Sequence, residues 1–130
     1  MPKRVPTDPK LPPPVGPYSP AISSGVFLFI SGQLGVDENG KLVSDLTEEQ
    51  ARQALENLKT LLLSSGFSLE DVCKTTIFLL DMEEFGKVNE VYARFFQPPF
   101  PARSTIAVCA LPKGARVEIE AVAMKEEGND

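Results

Sequence analysis

One arginine and one pair of carboxylates stand where they could do chemistry together. Arg103 lies in Phe100-Pro101-Ala102-Arg103-Ser104-Thr105, a proline-bounded strand start. Glu118 and Glu120 alternate along the later run Arg116-Val117-Glu118-Ile119-Glu120-Ala121. A guanidinium presents a planar fork of donors that matches a carboxylate in two parallel hydrogen bonds. A glutamate on a neighbouring strand can hold or activate a water beside the acid that the arginine grips. The two stretches therefore point to an anion-binding, water-using site. On residue type alone, an arginine at a strand end more often meets solvent or a structural ion pair. The two glutamates share one sheet face, whose ordinary fate is a wet outer surface. Glu120 is read that way, as a structural or pairing residue.

Composition narrows the chemistry. The chain has 130 residues and no histidine, and its two cysteines, Cys73 and Cys109, lack metal-ligand spacing. A zinc site and a histidine-activated nucleophile are both argued against. Acid–base work near neutral pH falls to carboxylates, tyrosine, lysine, cysteine or bound water, and no metal or cofactor motif is present. A net charge of −5 opposes a phosphate backbone, which argues against nucleic acid as a partner. The N-terminus lacks the apolar core of a signal peptide, and Val26–Ile30 is far too short to cross a bilayer. The expected location is cytoplasmic, with both thiols reduced and packed as small buried hydrophobes.

Positioning falls to elements that the residue pattern predicts. Eight of twelve prolines lie within residues 1–20. Residues 1–15 therefore read as a proline-rich arm, loose over 1–13, and residues 16–126 as a single domain. Gly16-Pro17-Tyr18-Ser19-Pro20 is a rigid turn presenting one aromatic hydroxyl. An apolar strand spans Val26–Ser31, and Asp37-Glu38-Asn39-Gly40 marks a hairpin or loop. Thr47 opens a helix with Gln50 in capping-box spacing, and Ala51, Ala54, Leu55, Leu58, Leu61 and Leu62 form its buried stripe. A strand over Val72–Leu80 follows, apolar on both faces in its second half and hence interior. Asp81 and Glu84 cap a second helix that turns Phe85, Val88, Val91, Tyr92 and Phe95 inward. Strands near Ala102–Cys109 and Arg116–Met124 close a two-layer α+β domain, with two helices on one face of the sheet. Apolar residues on the other face predict an oligomer whose sheets pack together.

Several landmarks in order resemble the Rid (YjgF) family, RidA branch. They are Gly16-Pro17-Tyr18-Ser19, Ser31-Gly32-Gln33, Lys74-Thr75-Thr76-Ile77-Phe78, Val88-Asn89, Phe100-Pro101-Ala102-Arg103-Ser104, and Leu111-Pro112-Lys113 with Val117-Glu118-Ile119-Glu120-Ala121. The resemblance implies a chorismate-mutase-like fold, with a mixed sheet, assembled as a homotrimer with sites in clefts between subunits. It implies hydrolysis of 2-imino or enamine acids, released by pyridoxal-phosphate enzymes, to 2-keto acids and ammonia. The family's carboxylate-binding arginine falls on Arg103, its water-positioning glutamate on Glu118, its site tyrosine on Tyr18 and its site serine on Ser31. Thr105 takes the place of a cysteine common in this branch, where backbone contacts suffice, and Pro20 replaces a common glutamine. Competing readings are a 2-keto acid sensor using the same arginine without turnover, and RNA cleavage or translation inhibition. The acidic balance and missing histidine argue against the last two.

Overall fold

The architecture is a single mixed sheet with both helices on one face, and the computed structural model describes residues 3–6 and 8–126. The elements are β1 (Ala21–Ser24), β2 (Phe27–Leu34), α1 (Thr47–Ser64), β3 (Val72–Leu79), α2 (Phe85–Phe95), β4 (Ala102–Ala107) and β5 (Val117–Met124). Strands lie in the order β1-β2-β5-β3-β4. Only β3 and β4 run parallel, joined by the crossover through α2; the other neighbours are antiparallel.

Alternation along the strands decides which face is core. Val117, Ile119, Ala121 and Ala123 of β5 are buried with Ile77 and Leu79 of β3 and Leu28 and Ile30 of β2. The α1 stripe Ala51, Ala54, Leu55, Leu58, Leu61 and Leu62 seals that face, as the spacing predicts. On the opposite face Phe27, Phe29, Ile106 and Met124 remain between 40% and 47% exposed. Burying apolar area is worth about 25 cal/mol per Å², so this uncovered face leaves substantial hydrophobic surface unspent.

Four expectations need correction. Thr47 is the first residue of α1 rather than its cap, and Leu46 takes the cap position with no side-chain bond. The Thr47 hydroxyl instead accepts a 2.8 Å hydrogen bond from Arg116 Nε. Gln50 donates to the Ser44 carbonyl and accepts from the Arg116 amide, both at 2.8 Å. Residues that read as a helix cap thus pin α1 to the entry of β5, with Arg116 as the pin. A capping box does form at Ser68 and Asp71, on the short turn before β3. Asp81 caps a one-turn 3-10 segment, Met82–Glu84, that leads into α2.

Second, β2 runs on through Ser31-Gly32-Gln33 to Leu34, with a register shift between Ile30 and Gln33 against β5. Third, the described part of the arm is docked, residues 1, 2 and 7 lying outside the described residues: Arg4 bridges to Ser23 of β1, Ser64 donates to Asp8 at 2.6 Å, and Leu11 packs on the core. Fourth, both cysteines are exposed in the chain. Cys73 sits at the register shift in β3, with its thiol against the Val122 carbonyl, and Cys109 lies beyond the end of β4.

The start of the strand at Ala21–Ser24 carries no signal of its own; it forms because Gly25, at φ 61°, turns the chain back onto β2. The Asp37–Gly40 turn forms as predicted, closed by the Gly40 amide on the Asp37 carbonyl at 2.9 Å. Helix α1 ends in the expected glycine: Gly66 has φ 82°, and the Phe67 amide reaches back to the Leu62 carbonyl.

Candidate active site

Arg103 sits on the helix-covered face of β4. Its register partner on β3 is Thr75, which is fully buried, so the arginine side chain leaves the sheet beneath α2. There Nη2 donates to Asn89 Oδ1 at 2.8 Å. The guanidinium carbon lies 4.9 Å from the centre of the Tyr92 ring and 5.5 Å from that of Phe85. Phe85, Asn89 and Tyr92 are spaced i, i+4, i+7 and so share one face of α2. No carboxylate among the described residues forms an ion pair with Arg103. The structural ion pair, the commoner fate of such an arginine, is not what occupies it. Thr105 is two residues on, paired with Ile77 on the same face and half-buried.

Glu118 sits on the other face. It pairs with Phe78 of β3 and Leu34 of β2, alternating with buried Val117 and Ile119. Its carboxylate packs against the bulged segment of β2. A Cβ on Gly32 would stand 2.3 Å from Glu118 Oε2, so only glycine leaves room for the acid there. Burial raises the Glu118 pKa above its ordinary 4.5, and the negative charge of Glu120 adds to that rise. Glu120 itself is exposed, in keeping with its reading as a wet outer residue.

Tyr18 and Ser31 belong to this second group. The Ser31 hydroxyl donates to the Ser19 carbonyl at 2.7 Å and the Ser31 amide to the Pro20 carbonyl at 2.9 Å. These bonds tie the proline-bracketed turn to β2. Tyr18 is half exposed and lines a small cleft of about 60 Å³ with Gly32, Gln33 and Lys113. Gly32 therefore joins the tyrosine cleft to the Glu118 carboxylate.

The chain thus brings Arg103 and Thr105 together, and separately Tyr18, Ser31 and Glu118, but it does not bring the two groups to one place. Thr75 and Phe78, their reference points on β3, are three residues apart and point to opposite faces. The residue pattern shows the seat of Arg103 only in part. Phe85 and Tyr92 read as core, but Phe85 is 38% exposed. The available signal was Asn89, one polar residue on an otherwise apolar helix face.

The small α+β domain thus carries two half-sites, one a half-buried guanidinium with no ion-pair partner among the described residues and the other a half-buried carboxylate. The chain belongs to the Rid (YjgF) family: a profile described as endoribonuclease L-PSP matches residues 9–125. A RutC family protein of Pyrococcus horikoshii is 50% identical over 116 residues, covering 88% of this chain and 92% of that protein. The human 2-iminobutanoate/2-iminopropanoate deaminase is 45% identical over 124 residues, covering 95% and 90%. The crystal structure of Escherichia coli TdcF with bound serine superposes with a TM-score of 0.89 at 36% identity, covering 95% of this chain and 99% of that one.

Proposed function

We propose that the protein hydrolyses 2-imino and enamine acids to 2-keto acids and ammonia, at a site completed by a second copy of the chain. The observation that carries this reading is Arg103, half-buried, held by a neutral amide and two aromatic rings, and without an acidic partner among the described residues. Relatives at this identity, the human and mouse proteins among them, are named imine deaminases.

The chemistry needs little machinery because the C=N carbon of a 2-imino acid is already electrophilic. Arg103 grips the substrate carboxylate. Glu118 accepts a proton from a water as its oxygen bonds to that carbon, and passes that proton to the imine nitrogen to give a neutral carbinolamine. Glu118 then carries the hydroxyl proton to the same nitrogen as the C–N bond breaks, so nitrogen departs as ammonia, the C=O of the keto acid forms and the carboxylate is regenerated. A raised pKa suits a base of this kind, because a carboxylate of low proton affinity takes protons poorly. Tyr18 and the hydroxyls of Ser31 and Thr105 close the pocket and orient the acid. No step calls on a cofactor.

Opposite faces on one chain make a second copy part of the proposal. Packing the open faces of three chains around an axis, as a homotrimer, would cover Phe27, Phe29, Ile106 and Met124 and bring the edge strand β4 of one chain toward β5 of the next. Net charge of −5 and the absence of histidine weigh against RNA cleavage in this chain, whatever the family description. The serine bound in TdcF, a small amino acid held by a relative, supports small-acid binding as the second reading.

The test couples the purified protein to an amino-acid oxidase, which releases 2-imino acids, and follows imine decay. Faster decay with wild type, lost in Arg103→Ala, is expected. Decay no faster than without protein, with wild type equal to Arg103→Ala, overturns hydrolysis. Stabilisation by 2-oxobutanoate that disappears in Arg103→Lys, with no turnover, leaves the sensor reading in its place, since lysine lacks the two-pronged geometry.

A further inference from the structure

The hydrogen bond between Thr75 and Tyr92 has no part in the chemistry above, yet both residues are almost wholly buried, with the two hydroxyl oxygens 2.8 Å apart. Thr75 lies on β3 beside Arg103, and Tyr92 reaches down to it from α2. The Tyr92 ring is further braced by Phe96, 4.6 Å away between ring centres. A buried hydroxyl pair of this kind fixes both side chains, because breaking it strands two polar groups in the core. What the fixed ring carries on its surface is the guanidinium of Arg103.

We propose that Tyr92, anchored from below by Thr75, is a positioning residue that sets the plane in which Arg103 offers its donors to an incoming carboxylate; this rests on the reading of Arg103 as the substrate anchor. The choice of support has a physical logic. A half-buried guanidinium must be compensated, and an aspartate or glutamate would do so most strongly. An acid, however, would occupy the same fork that a substrate carboxylate needs. Aromatic faces attract the cation through the ring quadrupole without taking up its N–H groups. Asn89 uses one donor and fixes the rotation about the ring normal; Phe85 bounds the guanidinium from the helix start. The support holds the charge in place and leaves it unneutralised.

The test measures 2-oxobutanoate binding by calorimetry, alongside imine turnover, for wild type, Tyr92→Leu, Tyr92→Phe and Phe85→Leu. Tyr92→Leu is expected to raise Kd and KM about tenfold while kcat falls less than about threefold. Tyr92→Phe restores the ring and should recover most of the lost affinity despite a lower Tm from the missing hydroxyl bond. Where Tyr92→Leu does not fold, Phe85→Leu, at an exposed position, is expected to weaken binding about threefold. Unchanged Kd in the leucine variants, or equal weakening in Tyr92→Leu and Tyr92→Phe, overturns the positioning role and leaves the anchor intact. Wild type that neither binds the keto acid nor turns over imine overturns both.

Discussion

At the scale of single residues, Glu118 makes the sharpest commitment. Its proton affinity is raised by burial and by Glu120, so in the folded chain it ionises above its ordinary pKa of 4.5. Activity that depends on the carboxylate should rise with pH through that raised value. Glu118→Gln should lower kcat about 10²- to 10⁴-fold and abolish this limb of the pH profile, which steady-state rates between pH 4 and 8 will show. Stability should move the other way. A raised folded-state pKa contributes stability that is full below the unfolded value and lost as pH rises through the folded value. Thermal melts should therefore show Glu118→Gln gaining on wild type as pH rises from the ordinary 4.5 through the raised value. The same residue would then be costly to fold and necessary to the chemistry, a combination expected of a site rather than a surface.

Among the elements, the bulged end of β2 matters most, because Gly32 makes space for that carboxylate. A methyl group at this position would meet Glu118 Oε2 at 2.3 Å, and the flexible acid would move before the backbone did. Gly32→Ala should cost activity far more than stability: at least about tenfold in kcat/KM, with a Tm change of no more than a few degrees. Side-chain periodicity revealed α1, β3, α2 and β5 because each buries a regular stripe whose spacing is a property of the sequence. It could not reveal β1, whose four residues pair only because of the turn at Gly25. Nor could it separate a helix cap from a tertiary clamp, since Thr47 and Gln50 have the right types for both and the deciding partner, Arg116, is 69 residues from Thr47 in sequence. Arg103 and Glu118 stood out by type. Their placement on opposite faces required the register of three strands, which no local pattern contains.

For the whole molecule, the proposed reading makes assembly a condition for activity, because the two groups lie on opposite faces of one chain. If each working site takes Arg103 from one copy and Glu118 from another, Arg103→Ala and Glu118→Gln chains should complement each other. Random mixing on co-refolding leaves about a quarter of the sites with both native residues in a closed symmetric ring. Recovery to roughly that fraction of wild-type activity is the expected result, and no recovery would place both groups in sites within one chain. Phe29→Asp, on the open face, should reduce the sedimentation mass and the activity together while each chain keeps its fold.

The docked arm bears on how such a molecule stays dispersed. With Arg4 exchanging both backbone hydrogen bonds with Ser23, at 3.0 and 2.9 Å, the outer rim of β1 is shielded from passing chains. Protein trimmed of its first eight residues should keep the catalytic groups yet turn cloudy on storage, as bare rims zip to one another, and light scattering over days will register the difference.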